Sequence, residues 1–243
     1  MELQDRLEQQ GQVLFRWRSY VPLLFLAGMI LVIRLQPRPL PDNPFYYWIC
    51  LALSLLGQWI RCDVVGHTPD GTSGRNTTLQ VAKKLNTVGM YSVARHPLYL
   101  ANLLMWLGLA LLPRIWWLAL AVLLAFWLFY ERIMLREEAF LRREFGEAFR
   151  RWAAVTPAFW PRFDLWQPWA LPFSWRNVLR REFSGFFALL AVFLLLLWLE
   201  RLFAGIDVEL SGNQRLGPLA GALAYLVLFA LRRFTSVLHD RPR

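Results

Sequence analysis

The chain has 243 residues, 57% of them hydrophobic and only 18% charged, with a formal net charge of +10. That balance is too apolar for an ordinary soluble domain, and the apolar residues fall in blocks long enough to cross a bilayer. The positive excess is almost wholly arginine lying between apolar runs, which points to anionic lipid surfaces and away from nucleic acid.

The chain opens on MELQDRLEQQ, polar and mixed in charge. It lacks the basic-then-apolar order of a cleaved signal peptide, and none is expected. A first span is expected over 20–34, with Trp17 and Tyr20 as interface anchors, and a second over 45–60. Cys50 and Cys62 form neither a disulfide framework nor a CxxC metal signature. A polar segment, 61–97, follows. Its glycine- and hydroxyl-rich part around 67–77 either caps the next helix or cradles an anionic headgroup with Arg75.

A third span is expected over 97–112. Pro113-Arg114 makes so short a turn that the fourth, 115–130, must return antiparallel. A polar extension over 131–184 precedes a fifth span, 186–202, and a sixth, 216–231. The expected fold is all-α: a polytopic integral membrane helical bundle of about six transmembrane helices. It divides into an N-terminal transmembrane pair (1–60), a core (61–170) and a C-terminal transmembrane pair (171–243). Arginine density in 61–97 and 131–184 puts both segments and both termini in the cytoplasm, in a bacterial inner membrane. Gly217, Gly221 and Ala224 give the sixth span a small face, suited to closing the bundle laterally or to a homodimer.

Two constellations carry candidate chemistry. In Arg95-His96-Pro97 the proline marks a helix start, so the histidine is held at a helix mouth. Histidine exchanges a proton near neutrality, and arginine fixes a carboxylate or phosphate with two parallel bonds. The plainer reading is an arginine anchoring the helix to headgroups. The second constellation continues the fourth span: Glu131, Arg132, Arg136, Glu137 and Glu138, then an apolar stripe of Leu141, Phe145, Phe149 and Trp152. Carboxylates near a bilayer surface are costly unless paired or used. Arg132 and Arg136 are available partners, so structural pairing and function both remain open.

Together these segments resemble the integral membrane methyltransferases of the isoprenylcysteine carboxyl methyltransferase and phospholipid methyltransferase group. The resemblance rests on Gly89-Met-Tyr91-Ser-Val-Ala-Arg95-His96-Pro97-Leu-Tyr99, the hairpin with Gly108, and Arg136-Glu137-Glu138 followed by Phe145-Gly146, and covers about 85–161. Phe149 and Trp152 stand where the family has tyrosines. The resemblance implies an enzyme that uses S-adenosyl-L-methionine to methylate a membrane lipid, a phosphate or phospholipid headgroup, with no metal. A prenylcysteine carboxylate and a small thiol are alternative acceptors. It implies cofactor binding by Gly89, Tyr91, His96, Tyr99, Glu137 and Glu138. Catalysis would fall to Arg95, Arg132 and Glu131, and lipid binding to Arg75, Arg95 and Arg136. The competing expectation is a non-enzymatic membrane scaffold or transport accessory protein that keeps the helical shape.

Overall fold

The computed structural model describes residues 3–18, 20–38, 43–69, 82, 84–206, 221–222, 224–230 and 233. Its regular elements are helices: α1 (Leu3–Trp17), α2 (Val21–Leu35), α3 (Phe45–His67), α4 (Met90–Val93), α5 (Pro97–Leu111), α6 (Trp116–Val155) and α7 (Trp175–Phe203), with a 3-10 turn at Phe163–Leu165.

The centre of the bundle is the contact between α3 and α5, and small residues make it possible. A Cβ on Gly57 would lie 2.4 Å from the Ala101 carbonyl oxygen, and one on Gly108 2.2 Å from Ser54 Oγ. Backbones that close gain dispersion contacts where lipid offers no hydrophobic driving force. Ser54 Oγ adds a bond to the Met105 carbonyl at 3.0 Å. α5 begins with Pro97 in its first turn, as the sequence indicates. The turn into α6 puts Arg114 at φ 56°, a left-handed conformation unusual for a side-chain-bearing residue.

α6 runs far beyond the apolar hairpin and carries Glu131–Val155 as a continuous extension, broken only at Gly146 (φ 52°, ψ −119°). α1 lies along this extension, where a Cβ on Gly11 would lie 2.2 Å from the Arg132 carbonyl oxygen. α7 crosses α3 and is tied at both ends: Glu182 to Arg61 (2.8 Å) and Glu200 to Arg114 (3.7 Å). Two of the bundle's apolar clusters flank the α5–α6 hairpin. One gathers Met29, Leu112, Ile115 and Leu196 near the α5–α6 turn. The other gathers Leu100, Leu103, Phe126, Phe129, Ile133 and Phe159 near the start of α5.

The expectation of about six spans is corrected. Among the described residues three helices are long and apolar enough to cross a membrane: α3, α6 and α7. A fourth is added if the bent pair Gln10–Trp17 and Val21–Leu35, at 72°, counts as one. α5 has 15 residues, about 22 Å at 1.5 Å per residue, short of a ~30 Å hydrocarbon core. Much of the expected sixth span, with Gly217 of its small face, lies outside the described residues; those described at 221–222 and 224–230 are helical. The all-α, membrane-associated character stands.

Candidate functional site

The site is built on one turn of backbone. Gly89 has φ 60° and ψ −135°, and a Cβ there would lie 2.1 Å from the Trp169 ring. Glycine alone meets both demands. Gly89 N donates to the Gln167 carbonyl (2.9 Å), while Ser92 Oγ donates to the Gly89 carbonyl (2.7 Å) and accepts from Gln167 N (2.9 Å). The chain then extends. Arg95 N donates to the Pro157 carbonyl (2.9 Å), His96 N to Ala158 (3.1 Å) and Arg162 N to Val93 (3.0 Å). This short ladder fixes Arg95 and His96 before Pro97 starts α5.

The α5–α6 hairpin returns Glu137 and Glu138 to the same mouth. Arg95 Nη1 donates to Glu138 Oε2 at 3.1 Å, and His96 Nε2 lies 3.0 Å from Glu138 Oε1. The other ring nitrogen, Nδ1, is 3.7 Å from Glu137 Oε2, which also accepts from Tyr99 OH at 2.9 Å. In its imidazolium form His96 has a donor for each carboxylate. Its ring stacks on Tyr99 (5.5 Å, 26°) and is 5% exposed. Tyr91 lies nearby in α4; burial pushes its phenol well above the ordinary range. Its carbonyl accepts from Trp152 Nε1 at 3.0 Å. The positive φ at Gly146, eight residues past Glu138, therefore serves the return of Trp152 to α4. Glu138 reaches His96 through the antiparallel hairpin itself.

The structure thus brings together Arg95, His96, Tyr99, Glu137 and Glu138, with Gly89 and Tyr91 in the backbone that positions them. It does not bring the other candidates to that cluster. Arg132 turns to α1, donating from Nε to Gln10 Oε1 at 2.9 Å and from Nη1 to the Leu128 carbonyl. The Arg136 Cβ is 3.0 Å from where a Gly11 Cβ would stand. Glu131 is half-buried and makes none of the cluster's bonds. Arg75 and most of the 67–77 loop lie outside the described residues. A cavity of about 280 Å³ opens beside the cluster, lined by Ser92, Trp152, Thr156 and Gln167 among others, and none of the proposed ligand-binding side chains lines it.

A second polar network went unread in the sequence. Arg61 clamps Glu182 through Nε (2.8 Å) and Nη2 (2.9 Å), and its Nη1 donates to Asn102 Oδ1 at 2.7 Å. Gln58 Nε2 reaches the same carboxylate at 3.4 Å. Asn102 was the available signal, a polar residue within an apolar run. Glu182 was hidden behind its neighbours Arg180 and Arg181, which look like a solvated basic rim. Among the described residues no group of three or more His, Cys, Asp and Glu side chains could hold a metal ion.

Comparison with known proteins sets the functional frame. The family model described as phospholipid methyltransferase matches residues 45–148, less than half of the chain. The cobalt-zinc-cadmium resistance protein CzcN of Cupriavidus metallidurans is 42% identical over 83 residues, 34% of this chain and 38% of that protein. The nickel-cobalt-cadmium resistance protein NccN of Alcaligenes xylosoxydans xylosoxydans is 40% identical over 95 residues, 39% of this chain and 42% of that protein. The matches span about two fifths of these relatives' length. No solved structure matches.

These relatives are named for metal resistance, and that corrects several expectations at once. The family model reaches less than half of the chain, and neither relative is named for methylation. The readings as an enzyme, as a user of S-adenosyl-L-methionine and as a protein with a lipid substrate fall with the methyltransferase resemblance. In physical terms, the carboxylates expected to meet a cofactor meet Arg95, His96 and Tyr99 of the chain itself. That the chain is a membrane protein with bacterial relatives stands.

Proposed function

We propose that the chain is a non-enzymatic membrane accessory protein of bacterial metal resistance. The observation that carries this reading is the 42% identity over 83 residues to the cobalt-zinc-cadmium resistance protein. The geometry supports a scaffold. Polar and charged groups that could face a ligand are spent on one another, Arg95 and His96 on Glu138 and Arg61 on Glu182. Buried pairs of this kind fix relative helix positions more than they add net stability. In this reading Arg95, His96, Tyr99, Glu137 and Glu138 hold the mouth of the hairpin as a rigid surface for a partner. The arginine-rich segments around 131–184 favour a cytoplasmic location for that mouth, in the inner membrane.

The test is growth. Deleting the gene should lower tolerance to cobalt, zinc, cadmium or nickel salts, and the wild-type chain should restore it. Unchanged tolerance on all four would sink the metal-resistance reading. Tyr99→Phe keeps the ring and the Glu138 contacts of Arg95 and His96 and removes one hydrogen bond to Glu137, so a folded scaffold should retain most of its tolerance. A folded Tyr99→Phe protein that fails to complement would reject the non-catalytic part.

A further inference from the structure

We infer that the loop over 156–166 is a membrane-contact element, with Trp160, Phe163 and Trp166 bedded where headgroups meet acyl chains in the leaflet at the His96 end. The loop is held as a fixed platform. Its residues 157, 158 and 162 make the backbone ladder to 93–96, and Gln167 just beyond it is bonded twice to the Gly89–Ser92 turn.

Depth is set by Phe159. This ring is 4% exposed and meets Trp127 edge-on at 5.2 Å, in the cluster that holds Leu100, Leu103 and Phe126. Trp127 lies one turn before Glu131, about 6 Å to the apolar side of the charged rim of α6. The flank of α6 at that level faces outward, with Leu124 and Leu128 each 55% exposed. A loop whose side chain reaches this level sits where lipid covers the bundle. The next residue, Trp160, is 68% exposed and Phe163 66%. Tryptophan and other rings at the water boundary of a bilayer gain from an apolar body and a polar surround.

Charge agrees with this occupant. The loop's two ionic groups close on each other: Arg162 Nη2 donates to Asp164 Oδ2 at 2.6 Å and Nε to Oδ1 at 3.3 Å. The loop therefore presents a compensated pair to the low-dielectric side, not a lone charge that would resist insertion.

The experiment places a nitroxide at Phe163→Cys in a Cys62→Ser background, in bilayers of phosphatidylethanolamine and phosphatidylglycerol. Collision with oxygen should exceed collision with a water-soluble nickel chelate several-fold. The order should reverse for a label at Glu147→Cys, exposed on α6. Chelate access exceeding oxygen access at 163 would put the loop in water, and shielding from both agents would put it against a protein; either overturns the inference. Should Phe163→Cys fail to fold, acyl-brominated lipid replaces the label. Wild type should lose a larger fraction of its tryptophan emission than Trp160→Phe, and equal loss overturns the inference.

Discussion

Glu138 is the residue on which the hairpin mouth turns, because each of its oxygens meets a different side chain, the Arg95 guanidinium and the His96 ring. Hydrogen bonds to charged groups contribute about 1.5–3 kcal/mol, and contacting residues show coupling of about 0.5–3 kcal/mol. Glu138→Gln should therefore destabilise the protein, and a cycle with His96→Gln should be non-additive by an amount in that range. Thermal unfolding of the four proteins in one detergent checks it; strict additivity would mean that the contact contributes nothing. Gly89→Ala should be worse tolerated, since the backbone strain alone costs on the order of 1–3 kcal/mol and the new methyl meets the Trp169 ring. A melting temperature equal to wild type would show that Trp169 can move aside. Arg95, His96, Glu137 and Glu138 were legible in the sequence as candidates, since a proline fixes the helix start, but a fold-over at Gly146 was the expected route for Glu138 and the antiparallel hairpin returns it without one. The partners of Arg132 were not, because α1 reads as a polar leader and nothing local signals that Gly11 admits the Arg132 backbone.

At the scale of elements, hydrophobic runs identified the helices better than their role in the membrane. α5 is as apolar as a span, yet it is short and enclosed by α3 and α6, and apolarity does not distinguish lipid from protein as the surround. The stripe of Leu141, Phe145, Phe149 and Trp152 carried a similar ambiguity. It fits a helix lying on lipid, but Phe149 is buried in the protein and Trp152 is bonded to Tyr91. α7 is joined to α3 by Arg61 and Glu182, and removing one partner of such a pair costs about 3–5 kcal/mol because the other charge stays buried. Glu182→Met should thus destabilise strongly, while Arg61→Met with Glu182→Met should recover most of the loss. Denaturant midpoints of the three variants decide it. A double variant no better than Glu182→Met would show that Asn102 and Gln58 depend on the charges, and that the network acts as a unit.

At the scale of the molecule the bundle is closed by ionic contacts at both ends, and the second end carries the larger strain. Arg114 holds φ 56° in the α5–α6 turn while its guanidinium faces Glu200, which is 4% exposed and accepts from Tyr47 OH at 3.1 Å. A glycine at 114 would relieve backbone strain of roughly 1–3 kcal/mol. It would also leave the Glu200 carboxylate buried without its cation, a loss of about 3–5 kcal/mol. The second effect is the larger, so Arg114→Gly should be destabilising. Arg114→Gly with Glu200→Gln should be near wild type or better, because the strain and the lone charge are both gone. The length of α5 separates this end from Glu138 by about 22 Å, well beyond the 7–10 Å within which substitutions couple. Arg114→Gly and Glu138→Gln should therefore add within about 0.5 kcal/mol. Melting curves of the singles and the double in the same detergent measure this. A large departure from additivity would mean that α5 transmits strain from one end of the bundle to the other, and that the two clamps work as one.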